Sequence, residues 1–394
     1  MRISMITELQ RSVSDNGLVD FEATYRESLA QARLADQAGF HTIWITEHHF
    51  LPTFSVAPGS DQFLAAVAAQ TNNIRVGTGV VVLPYHHPIH VAERMAMLDL
   101  ISEGRLEFGT GRGGPYEVTG HSIDPRDTRS MWEESLACIE AIWSSYPDEF
   151  SWQGEHWQIP PRVVVPQPVQ KPIRRWLACA QPASFSVAAE HGMGVLAFVP
   201  SPPSVTAPLI EQYRERIASY PGPLERRNEN WASMTFGVCG DDGPAARELV
   251  SRSLKVFFGP DRPYNAAAAA ITKSLIEEWD GEIPDDLKVH MTKEHETAPI
   301  NAAEVATATG LTSAARAARQ DGELDSWEKL DPETLADSGI TVAGTPQQCV
   351  DSLKLYEQNG VDEVLVLVQN ETIPHDISMK TIRMFGEQVI HHFH

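Results

Sequence analysis

The chain has 394 residues, 42% of them hydrophobic and 21% charged: enough apolar material for one large barrel or two modest domains, and too much for a disordered protein. Its 31 Lys+Arg against 53 Asp+Glu leave a formal net charge of -22, which repels phosphate backbones and anionic membranes and argues against a nucleic-acid or lipid-surface protein. Four scattered cysteines without a C-x-x-C pair predict a reducing, cytoplasmic setting with no disulfide framework and no metal site.

No apolar run approaches the roughly 20 residues needed to span a bilayer. The opening Met1-Arg2-Ile3-Ser4-Met5-Ile6 is too short for a signal peptide and reads as a strand over residues 2–7. A helix follows over 21–38, where Phe21, Tyr25, Leu29 and Ala32 recur at three or four, and Gly39 stops it. Residues 41–46 form the second strand; Ile43, Trp44 and Ile45 are consecutive and apolar, as in a parallel sheet buried on both faces. Asp61 suits the N-cap of a helix over 62–70. A strand over 74–83 and a helix carrying Val91, Met95, Leu98 and Ile101 complete three strand-helix units, and a strand over 105–109 opens the fourth.

A helix over 128–143 comes next, then an ordered excursion over a barrel end at 147–172, rich in Pro, Trp and Gln. Strands at 176–180, 195–199 and 232–239 alternate with helices at 184–190, 205–219 and 244–257. The chain closes with a helix at 345–358, a strand at 361–368 and a helix near 377–391. About eight mostly parallel strands fit a (β/α)8 TIM barrel or a doubly wound open sheet. Strand-helix units stand at both ends of the chain, with nothing like a linker between them, so the barrel is preferred. Residues 1–394 then form one domain, with an insertion at 258–340 over the C-terminal face that serves substrate choice or assembly into a homo-oligomer.

In a barrel, the loops after the strands' C-terminal ends carry the chemistry. After strand two stands Glu47-His48-His49-Phe50, a carboxylate and two imidazoles placed for acid/base work or hydrogen bonding, or simply a polar loop. Neighbouring residues on an extended chain point opposite ways, so His48 and His49 do not share an ion. After strand three, Gly77 and Gly79 mark either a close approach to a ligand or tight packing. Pro84 and Pro88 bracket a loop with His86 and His87, and His90 opens the next helix. After strand four, Gly109-Thr110-Gly111-Arg112-Gly113-Gly114 satisfies G-x-G-x-x-G, but Pro115 and Tyr116 lead into a loop where a dinucleotide fingerprint needs a helix. The better reading is a glycine-lined floor with Arg112, and with Arg129 at the next helix start, facing one anion. After strand five, Ala180-Gln181-Pro182-Ala183-Ser184 opens a helix, with Ser184 an N-cap or a phosphate ligand.

Together these strings resemble the luciferase-like flavin-dependent monooxygenases, the bacterial luciferase alpha subunit among them. The matching residues are Gly39-Phe40, Trp44 to Phe50, Val76-Gly77-Thr78, Val82-Leu83-Pro84 with His87-Pro88, and Leu98-Asp99 with Gly104-Arg105. Phe108-Gly109 with Arg112-Gly113, Ala188-Ala189-Glu190 with Gly192, and Gly344-Thr345-Pro346 complete the set. The resemblance implies a (β/α)8 barrel that binds reduced FMN, delivered by a separate NAD(P)H-dependent reductase. O2 adds to the flavin and the resulting hydroperoxide oxygenates a small organic substrate. His48 matches the catalytic histidine, with Glu47 beside it, and its neutral imidazole, near pKa 6.5, takes a proton. Arg112, Arg129 and Ser184 match the phosphate site, Gln181 joins them as a cofactor-binding residue, and Gly79-Val80 matches a cis peptide under the flavin ring. Gly111 stands where luciferases carry a reactive cysteine, which speaks against light emission. An F420-dependent oxidoreductase on the same barrel is the alternative; a non-catalytic flavin-binding subunit is a third reading.

Overall fold

Short buried strands alternate with helices along the chain, and the strands close on themselves. The computed structural model describes residues 1–10, 12–13, 19–52, 54–180, 182–258, 270–271, 273–274 and 330–393. The barrel strands are β1 (Arg2–Thr7), β2 (Thr42–Ile45), β3 (Arg75–Val82), β4 (Leu106–Gly111), β5 (Arg174–Cys179), β6 (Gly194–Ala197), β7 (Trp231–Cys239) and β8 (Glu363–Leu367). Each pairs in parallel with the next, and β8 returns to β1. The expected (β/α)8 barrel forms.

The helices are α1 (Phe21–Ala38), α2 (Ser60–Ala68), α3 (Pro88–Ile101), α4 (Pro115–Gly120), α5 (Thr128–Ser145), α6 (Pro182–Glu190), α7 (Pro203–Ile217) and α8 (Gly243–Phe258), then α9 (Pro332–Asp337), α10 (Pro346–Gln358) and α11 (His375–Gln388). Local chemistry sets several of their ends. Asp20 accepts the Ala23 N–H at 2.9 Å to start α1, and Thr345 with Gln348 makes a capping box for α10.

The period of two along each strand sorts side chains between two layers. Ile43 and Ile45 pack with Met5, Val76 and Phe108 under the helices. Trp44, between them, packs with Ile6, Leu196 and Leu365. It meets Trp176 of β5 edge-on at 5.4 Å; those strands are not neighbours, so the contact crosses the barrel interior. Truncating Trp44 would cost roughly 3–5 kcal/mol. Gly77 makes room for it: a Cβ there would lie 2.4 Å from the Trp44 ring. At Gly109 a Cβ would lie 2.1 Å from the Thr78 carbonyl oxygen. These two glycines are packing positions rather than ligand contacts.

The N-terminal end of the barrel is closed by buried carboxylates and arginines. Glu363 accepts from Arg2 Nε at 3.1 Å, Ser4 Oγ at 2.7 Å and Trp44 Nε1 at 2.9 Å. Glu107 accepts from Arg75 Nε at 2.5 Å, Arg174 Nη1 at 2.8 Å and Trp176 Nε1 at 2.7 Å. Burial pushes the Glu107 carboxyl up, against the pull of the two arginines.

Several local expectations are corrected. Asp61 is not the N-cap of α2, which is Gly59; it lies in the first turn and pairs with Arg94 of α3 at 3.3 Å. Ser184 is the third residue of α6, so it is not an N-cap either. Pro115 and Tyr116 open α4 rather than a loop, while Gly109 and Gly111 belong to β4, so the helix begins after the glycine string and not inside it. A further strand, Thr341–Gly344, pairs with Phe236–Cys239 of β7, beyond the stretch that pairs with β8. Four residues give too short a period to read. The excursion at 147–172 holds a hairpin, Phe150–Gln153 with Gln158–Arg162. It is pinned to helices: Glu134 of α5 accepts from the His156 and Trp157 N–H groups, and Asp99 of α3 from those of Val169 and Gln170. Most of the insertion at 258–340 lies outside the described residues. No helix among the described residues is long and apolar enough to cross a membrane.

Candidate active site

Parallel strands deliver their C-terminal ends to one face, and buried ionisable groups gather there. Glu8 follows β1 and His48 follows β2. Backbone bonds fix that loop: the His48 N–H donates to the Ala57 carbonyl at 2.9 Å. His48 and His49 diverge as the extended chain requires. His48 turns to Glu8, Glu117 and the Phe54 ring; His49 turns to Glu47, Tyr85 and His121.

The His48 ring lies between two carboxylates. Nε2 is 3.1 Å from Glu8 Oε2, and Nδ1 is 3.3 Å from Glu117 Oε2. Both acids are buried and already engaged. Glu8 Oε2 accepts from Thr46 Oγ1 at 2.7 Å, and Glu117 Oε1 accepts from the His49 N–H at 2.6 Å. Burial pulls the imidazole pKa down, but about a quarter of the side chain still meets solvent (24%), and the hydrogen bonds and charges of Glu117 and Glu8 outweigh it. The group is held up at about 10. The expectation of an imidazole near 6.5 is therefore corrected: the two carboxylates hold its pKa well above that value.

Glu47 sits in a different cluster. Oε1 accepts from His49 Nε2 at 3.1 Å and His86 Nε2 at 2.7 Å, and Oε2 from the Val82 N–H at 2.9 Å. Burial would raise its pKa, but the bonds from His49 and His86, the His86 charge and the Val82 N–H bring it to about 2. Arg94 Nη2 lies 3.4 Å from His86 Nδ1. Glu47 thus joins the loop after β2 to the end of β3. Just upstream, β3 holds the cis peptide Gly79-Val80, where its pairing with β4 slips between Thr78 and Val81. His87, rather than His90, caps α3, its Nδ1 accepting the Ile89 N–H at 3.3 Å.

Two of the expected phosphate residues act on Cys179, the last residue of β5. Burial pushes that thiol up to about 12, while a hydrogen bond from Ser184 and the charge of Arg112 draw it down. Arg129, in the first turn of α5, donates to Glu133 at 3.1 Å. Gln181 lies outside the described residues. No group of three or more His, Cys, Asp or Glu side chains among the described residues could hold a metal.

Sequence reasoning missed Glu8, Glu117 and the partnership of His86 with Glu47. Glu8 had a signal, since it directly follows strand one and the strand-end rule applies to it as to His48. Glu117 had none; only folding brings it 69 positions back to His48.

A sequence model of the family described as luciferase-like monooxygenase matches residues 1–363. The chain belongs to that family. One relative is the oxygenase component of a flavin-dependent trigonelline monooxygenase from Acinetobacter baylyi, 35% identical over 199 residues that cover 50% of this chain and 53% of that protein. The chain spans about half the length of the curated relatives it matches. The fold is shared with the oxygenating constituent of 3,6-diketocamphane monooxygenase from Pseudomonas putida, determined with FMN, at 19% identity and a TM-score of 0.68 over 99% of this chain and 98% of that one. It is also shared with the F420-dependent tetrahydromethanopterin reductase of Methanopyrus kandleri, at 19% identity and a TM-score of 0.62 over 100% of both chains. At such identities the likeness is one of fold.

Proposed function

We propose that this protein is the oxygenase component of a two-component monooxygenase. It takes reduced FMN from a separate NAD(P)H-dependent reductase and uses O2 to oxygenate a small organic substrate. What supports this reading is that His48, Arg112 and Ser184 follow the C-terminal ends of β2, β4 and β5, and that the Gly79-Val80 peptide lies in the C-terminal half of β3.

The residues present suit FMN in kind. Arg112, Ser184 and the N–H groups of the first turn of α6 are donors for a phosphate, and Arg129 opens α5 at the same end. The Gly79-Val80 peptide, with the Phe198 ring against Gly79, offers a flat apolar bed for a ring system. Glu47 would be a positioning residue, holding the end of β3 through Val82. Bound reduced FMN would supply the two electrons by which one atom of O2 enters the substrate and the other leaves as water. His48 would face the reacting edge as a proton-bearing donor.

Purified protein with NADH, FMN and substrate should turn over negligibly, and a flavin reductase should restore oxygenated product. Strong turnover without a reductase would sink the division of labour. Titration with reduced F420 alongside reduced FMN, followed by oxygen uptake, separates the cofactors: tight F420 binding without oxygen uptake would overturn the oxygenase reading. Flavin binding with neither product nor oxygen uptake would point to a non-catalytic subunit.

A further inference from the structure

Among the described residues, each nitrogen of the His48 ring faces a carboxylate oxygen rather than a donor. A neutral imidazole has one N–H and one lone pair, and an ionised carboxylate only accepts. A neutral His48 would turn a lone pair toward a carboxylate oxygen at 3.1 Å or at 3.3 Å. Both acids already accept from elsewhere, Glu8 from the Thr46 hydroxyl and Glu117 from the His49 N–H. The arrangement is satisfied when both ring nitrogens carry protons.

We infer that Glu8 and Glu117 are positioning residues that clamp His48 as a doubly protonated donor, fixing both its ring orientation and its charge at the barrel mouth. This rests on the proposed function only for its catalytic meaning; the clamp itself is a property of the protein without cofactor. Held this way, His48 enters the reaction with a proton to give.

Among the described residues, the charged groups facing the ring are Glu8 from the end of β1 and Glu117 from α4. The loop's own Glu47 and His49 turn into the neighbouring cluster. Tyr85 and His121 feel the charge of Glu117 from that cluster. The remaining contact is the Phe54 ring, 5.3 Å away and edge-on. Phe54 is backed by the Phe257 ring of α8 at 4.9 Å. Glu8 and Glu117 reach the ring from separate elements, so their effects can be removed one at a time.

The test is nitrogen-15 NMR of histidine-labelled full-length protein without flavin, with His48 assigned from the signals missing in His48→Gln. Both ring nitrogens should read as protonated from pH 6 to beyond pH 8. Glu8→Gln and Glu117→Gln should each lower the titration midpoint by roughly 1–3 pH units, the usual effect of an adjacent opposite charge. Glu8→Asp and Glu117→Asp, which keep the charge, should recover part of that shift, and thermal melts confirm that each variant folds. In turnover with reduced FMN, a reductase and O2, the alkaline fall in product per flavin should move to lower pH in both Gln variants. A wild-type His48 that titrates near 6.5, or shows one protonated nitrogen at neutral pH, overturns the clamp. So does a midpoint that neither Gln variant moves. Intact NMR behaviour with no oxygenated product leaves the clamp standing and defeats the proposed function instead.

Discussion

At the N-terminal end of the barrel, buried Glu107 and Glu363 are met by Arg2, Arg75 and Arg174. At the other end, buried Glu8, Glu47 and Glu117 are met by His48, His49 and His86. The two ends face the same physical problem, since a carboxylate taken from water needs partners. They solve it with different cations. Arginine keeps its charge at any working pH, so the lower end is a fixed plug. A protonated histidine can give its proton up, so the upper end can change state. The contrast agrees with the rule that the lower face of such barrels serves stability and the upper face chemistry.

The contrast can be broken most severely at His48. His48→Ala should cut product formation by roughly 10²–10⁴-fold, the worth of a positioned proton donor. FMN affinity should change far less, and electrons should leak to hydrogen peroxide. Product, peroxide and affinity measured on one preparation decide it; loss of FMN binding as the main defect would refute the role.

At the lower end the damage should be to folding. Glu363→Ala leaves Arg2, Ser4 and Trp44 without their shared acceptor, at a cost of about 3–5 kcal/mol. Urea unfolding measures this. The alkaline limb of the activity profile should stay where it is in the folded protein, and a shifted limb would erase the division between the two ends.

Glu47→Gln should cost roughly 1.5–3 kcal/mol by weakening charge-assisted bonds. Its sign with pH is distinct. The Glu47 pKa is depressed to about 2, so its contribution is present above about 4.5 and is lost as pH falls toward 2. The His48 pKa is raised to about 10, so its contribution is present below about 6.5 and is lost as pH climbs through 10. Melting temperatures from pH 3 to 10 should show both limbs in the wild type. The acid limb should shrink in Glu47→Gln and the alkaline limb should remain.

The smallest effect should come from Arg129→Ala. An arginine–phosphate contact is charge-assisted, and its loss should raise the FMN dissociation constant about tenfold or more. A flavin titration with unchanged affinity would place Arg129 outside the phosphate site and leave Arg112 and Ser184 as its described members.

The local part of the structure was legible in the residues. The period of the strands placed all eight barrel strands, and α1 matches its expected bounds at Phe21–Ala38 because Asp20 and Gly39 mark its ends. Where a signal was only a residue type, it misled: Asp61 looked like a cap and became an ion-pair partner, since Gly59 already starts the helix. The sequence by itself favoured a parallel barrel over an open sheet and put His48 at a strand end. Only the tertiary structure decided what surrounds it. Glu8 and Glu117 reach His48 across 40 and 69 positions, and their charges turn an ordinary histidine into one that keeps its proton. No local pattern encodes that, because electrostatic interactions act through space, and which charges come close is known only once the barrel has closed.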